Sequence, residues 1–106
     1  MNFDINATLS QMLDAIKGIV KNDGYEIEDN AADFFNDRKE RLQTLAIQRL
    51  NGEIDDAFLK DRLMDEQDIL LAEIDAAKIV AKSVAQVAAN AAIDIFQKAI
   101  IAAIKL

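Results

Sequence analysis

Leu9, Met12, Leu13, Ile16, Ile19 and Val20 recur at steps of three and four, which gathers them on one side of a helix. The spacing predicts a first helix over residues 6–22. Thr8 and Gln11 have capping-box spacing, and Asp4 and Asn6 compete with Thr8 as its start. Lys17 and Lys21 fall near its end, where the helix dipole favours cations. The segment KNDGYEIED then reads as a loop turning on Asn22-Asp23-Gly24, with Tyr25, the sole tyrosine, placed for packing.

A second helix is predicted over residues 29–51, with apolar positions Phe34, Phe35, Leu42, Leu45, Ala46, Ile47 and Leu50. Between Phe35 and Leu42 the stretch NDRKER offers no apolar anchor and reads as a solvated face. Asn51-Gly52 is a C-terminal cap, and three residues later Asp55 is an N-cap, with Ile54 set to pack on Leu59 as a hydrophobic staple. So short a connection makes helices two and three antiparallel neighbours. Leu59, Leu63, Leu70, Ile74 and Ala77 form a seam of roughly heptad spacing on the third helix.

After Ile54 there is neither glycine nor proline, so local signals allow one helix over residues 55–106. At 1.5 Å per residue it would run roughly 75 Å, against a radius of gyration of about 13 Å for a compact domain of this size. Either the chain bends or breaks within residues 78–90, or the far half is covered by another subunit.

The last 31 residues carry eleven alanines, eleven larger apolar residues and nine polar ones. On a helical projection Ala81, Ala85, Ala88, Ala92, Ala99 and Ala103 fall within an arc of about 60°, opposite most of the polar side chains. With Ile95 beside them, they are the expected oligomer interface, since methyl-sized residues let two helix axes approach closely. Leaving the eleven larger residues in water would forfeit on the order of 15–30 kcal/mol. Helix one covers about half of this surface, so helix two, a second copy of the chain or lipid is expected to cover the rest.

Composition sharpens the picture. Proline, cysteine, histidine and tryptophan are absent and there are three glycines. The expectation is an all-α single domain: a three-to-four-helix bundle with a long Ala-rich C-terminal helix, completed by homo-oligomerisation. Without cysteine there are no disulfides or thiolates, and without histidine the commonest general base and metal ligand is missing. The net charge of -7 argues against nucleic-acid binding. That charge is unevenly spread: residues 1–75 carry eighteen acids and eight bases, residues 76–106 four lysines and one aspartate. An acidic body and a basic, apolar tail are complementary, which favours self-association; the same lysines suit anionic lipid. No early lysine or arginine marks a secretory leader, so the expected location is cytoplasmic.

The acids of helix three raise one chemical possibility. Asp61, Asp65 and Asp68, with Glu66 and Glu73, have spacings that suit a hard cation or a carboxylate pair. No EF-hand loop and no Glu-x-x-His pair accompanies them, and they read as a solvated face. Arg38, Arg41 and Arg49 are placed to pair with acids of helix three and to set the register of the hairpin. The functional expectation is therefore a non-enzymatic structural, adaptor or assembly protein, with no cofactor and no metal, acting through a homo-oligomer or a protein partner. The alternative is a membrane-active protein whose amphipathic, lysine-bearing C-terminal helix binds lipid.

Overall fold

A computed structural model describes residues 3–20, 24–77 and 80–104, arranged as four helices: α1 (Ile5–Val20), α2 (Gly24–Leu50), α3 (Asp56–Ala76) and α4 (Lys82–Ile104). They pack into one bundle of 40 × 23 × 21 Å with a radius of gyration of 13.5 Å. The chain is all-helical among the described residues, as its composition predicts.

Of the three competing starts for α1, Asp4 is the one used. Its Oδ1 accepts from the Ala7 N–H at 3.1 Å, and its carbonyl oxygen accepts from the Thr8 hydroxyl at 2.8 Å. Thr8 thereby satisfies its own hydroxyl in a buried position instead of capping. Ile5, Met12, Ile16 and Val20 point inward, with Leu9, Leu13 and Ile19 packed along the edges.

The second helix begins five residues earlier than its pattern predicts. Gly24–Leu50 absorbs most of the expected loop, Tyr25 included. The anchor is Ile27, a lone apolar residue in a polar segment, which is fully buried. Burying one isoleucine stabilises by about 1.5–3 kcal/mol, enough to override weak local turn preferences. Lys17 on α1 reaches Glu28 on α2 at 3.1 Å across the same corner. Lys21, Asn22 and Asp23 lie outside the described residues.

Between α2 and α3 the turn follows its sequence signals closely. Gly52 adopts φ +77°, the left-handed region in which a Cβ would crowd its own backbone carbonyl. Its N–H donates to the Arg49 carbonyl at 3.1 Å and the Glu53 N–H to the Gln48 carbonyl at 2.8 Å, the bond pair of a Schellman motif. Asp55 caps α3 by accepting from the Phe58 N–H at 2.8 Å, and Ile54 packs against the core.

The third connection is where local signals are silent. α3 stops at Ala76 and α4 starts at Lys82, so the long C-terminal helix is broken at the near end of the expected range; Lys78 lies outside the described residues, and Asn90 sits inside α4. Each half, at 1.5 Å per residue, is about 32–35 Å long, which fits the 40 Å length of the bundle. The fold-back answers what covers the apolar tail: α4 packs most extensively on α1, then on α3, and more lightly on α2. Sequence reasoning left α3 out, because one continuous helix cannot cover itself. Ala85, Ala88, Ala89, Ala92, Ile93, Phe96 and Ile100 are buried this way, with Phe3 set edge-on to Phe96 at 5.8 Å.

Candidate functional site

Between α2 and α3 lies the most polar point of the interior. On α3 the seam Leu59–Leu63–Leu70–Ile74 has a gap where a heptad calls for residue 66, and that residue is a glutamate. On α2 the charged stretch NDRKER leaves a matching gap between Phe35 and Leu42, filled by Arg38. The two gaps face each other. Arg38 Nε donates to Glu66 Oε2 at 2.9 Å and its Nη2 to Oε1 at 2.5 Å, a bidentate fork. Arg41 Nε adds a third bond to Oε1 at 2.8 Å.

Glu66 is 1% exposed, and with Thr8 it makes up the buried polar and charged residues among those described. A carboxylate this deep needs its oxygens saturated, and both are. Its hydrogen bond, above all, raises the Arg38 pKa further above the ordinary guanidinium value. Two arginines share one carboxylate, so the cluster carries one net positive charge, borne by guanidinium groups that are 29% and 51% exposed. These positions correct the solvated-face expectation for Glu66 and Arg38. The signal that would have found them is their register within the apolar seams.

All three arginines do meet acids of helix three. Arg49 donates to Asp56 at 2.6 Å beside the turn. That bond holds the exposed Asp56 carboxyl below its ordinary pKa and raises Arg49 above its own. At the other end of the hairpin the Asn30 side-chain amide donates to the Glu73 carbonyl at 3.0 Å. Four polar ties therefore run along the α2–α3 interface and fix its register.

A groove of about 480 Å³ opens between α2 and α3, toward the turn. Leu45, Phe58 and the stems of Arg41 and Arg62 line it, with Glu40, Thr44 and Gln48 on its rim. Phe58 is 45% exposed, and the Arg62 guanidinium sits over its ring at 5.1 Å. Arg62 Nε is buried with no hydrogen-bond partner, and the Arg62 ion pair with Asp65 is loose, at 3.8 Å.

The remaining acids of helix three do not converge. Asp61, Asp65, Asp68 and Glu73 are exposed, and among the described residues no three carboxylates come together as a metal-ion cluster. The expected interface stripe divides. Ala85, Ala88 and Ala92 are fully buried against the chain's own helices, Ile95, Ala99 and Ala103 are half-buried, and Ala81 is exposed. The inner three would meet a second copy only if α4 left its place in the bundle. On the outer face of α4, Val87, Ile101 and Ile104 stay exposed; Lys98 and Asp94 pair at 2.8 Å, which raises the lysine pKa. The Gln67 amide donates to the Asn90 side chain, a polar tie between α3 and α4.

Fold and site together define the class: an all-α four-helix bundle whose buried charge is spent on holding two of its helices in register. Comparison with protein-family models, with curated proteins and with solved structures finds no match in any of the three.

Proposed function

We propose that the chain is a non-enzymatic assembly or adaptor protein, acting by helix-to-helix contact with a second copy of itself or another protein. One observation carries this. Glu66, the buried charged residue among those described, is saturated by structural ion pairs, while large apolar side chains remain outside: Phe58, Met64 and Ile69 on α3, and Val87, Ile101 and Ile104 on α4. Scattered apolar residues are ordinary on a surface, but Phe58 and Ile69 lie on one side of α3 and Phe58 borders a groove. Sedimentation velocity from micromolar concentration upward is the test of self-association. A mass that rises above the 11.7 kDa of one chain supports it, and a monomer throughout rules it out.

A second reading rests on α4 alone. Its 23 residues contain an 18-residue stretch with a mean hydropathy of 1.5, long and apolar enough by length and composition to cross a membrane. Asn90 and Asp94 near its centre oppose a full span, since a central aspartate costs about 2.5–3.5 kcal/mol on insertion, so interfacial binding is the form this reading takes. Flotation with anionic vesicles at low salt and mildly acidic pH tests it; protein left at the bottom of the gradient sinks it.

A further inference from the structure

We infer that the partner is a second copy of this chain and that the two copies exchange α4, each placing it in the other's bundle. The inference rests on the assembly reading above and specifies its mode.

The starting point is the mismatch between local and tertiary preference at the α3–α4 break. From Asp56 to Ile104 the sequence has no glycine, no proline and no stop signal. At the end of α3, Ala77 is still in the right-handed helical region, at φ -68° and ψ -22°. At the start of α4 the capping position is Ala81, whose carbonyl accepts from the Val84 and Ala85 N–H groups at 3.0 and 3.1 Å but whose methyl side chain can accept nothing. Lys82 then puts a cation in the first turn, where the dipole disfavours it. A continuous helix would replace these poor ends with regular backbone hydrogen bonds. What holds the break in one chain is the burial of α4 against α1 and α3.

A second copy removes that conflict. If α3 and α4 run on as one helix, Ala85, Ala88, Ala92, Phe96 and Ile100 leave their own bundle and need an equivalent surface. The vacated face of a second copy is that surface, identical atom for atom, so each contact that α4 makes is regained. Two chains arranged about a two-fold axis would lie with their long helices antiparallel, α3 of each beside α4 of the other. The polar ties favour α4 as the part that moves. Lys17–Glu28, Arg38–Glu66, Arg41–Glu66 and Arg49–Asp56 all join α1, α2 and α3 to one another, whereas Lys98–Asp94 on α4 is internal to that helix. The Gln67–Asn90 bond joins α4 to α3, and in the exchanged dimer it would form between copies.

The sequence holds no cysteine, so Gln67→Cys/Asn90→Cys makes a single thiol pair. The double variant is refolded from urea at micromolar and at millimolar concentration, oxidised, and run without reductant. Exchange predicts a covalent dimer of twice the 11.7 kDa chain mass in the concentrated sample. A non-covalent dimer whose disulfides all lie within chains overturns exchange and leaves assembly through outer surfaces standing. A monomer at both concentrations overturns exchange and self-association together. Lys82→Pro is the second arm. Proline suits the first position of α4 in the folded-back chain, but inside a continuous helix it removes a hydrogen bond and clashes with the preceding turn. It should weaken dimerisation by about a hundredfold or more, with Lys82→Ala near wild type. Equal dimerisation of the proline variant and the wild type overturns the proposal.

Discussion

Glu66 accepts three hydrogen bonds from two arginines, so its removal takes the acceptor from both. Breaking a buried pair from one side typically costs about 3–5 kcal/mol. Here the arginine side chains are 29% and 51% exposed and can rehydrate in part. Glu66→Ala is therefore expected to lose about 2–3 kcal/mol in urea unfolding. The double variant Arg38→Met/Glu66→Leu removes the bidentate donor and its acceptor together, leaves the 51% exposed Arg41 to water, and closes both seams with apolar side chains; its loss should be under about 1 kcal/mol. If the double variant loses as much as the single one, the carboxylate is not held as described. Ala92 tests the opposite limit. It is fully buried on the inner side of α4, and Ala92→Leu should cost about 1–3 kcal/mol by overpacking, read as a lower urea midpoint with an unchanged slope.

At the scale of elements, the α2–α3 hairpin is the part whose ends are best specified. Gly52 takes a positive φ in open space, with nothing near enough to clash with an added methyl. Gly52→Ala therefore reports backbone strain alone, expected at about 1 kcal/mol. The Arg49–Asp56 pair adds a pH dependence whose sign follows from the lowered Asp56 pKa. Folding favours the ionised carboxylate, so the contribution is complete above the ordinary carboxylate range and disappears as pH falls through the lowered value. Because Asp56 is exposed, the effect is small. Comparing the acid limb of the wild type with that of Asp56→Asn should show a slightly shallower fall in the variant.

For the whole molecule, α4 is the helix on which the others close. It meets α1, α2 and α3, most extensively α1 and then α3, so its departure would uncover apolar surface on both. A chain ending after Ala76 should lose cooperative urea unfolding and bind a hydrophobic dye, while far-ultraviolet dichroism still reports helix. A truncated chain that unfolds as sharply as the full one would show that α1–α3 form a core of their own.

Helical class, the Asp55 cap, the Gly52 turn and the antiparallel hairpin were all legible along the chain, because each depends on residues within one turn of one another. The pairing of Arg38, Arg41 and Arg49 with acids of helix three was legible too, since a short connection leaves those residues few other neighbours. Three things depended on distant contacts. Ile27 pulled a polar segment into α2. Glu66 became an interior residue because the gap in its seam met the gap around Arg38. The helix that local signals allow from Asp55 onward, with a bend or break within residues 78–90 as one expectation, stopped after Ala76, where nothing in the residues themselves asks for a stop. Local propensity counts hydrogen bonds along a helix and sees no reason to end it; only the tertiary structure, in which half of that helix buries its apolar face against the other half and α1, supplies one.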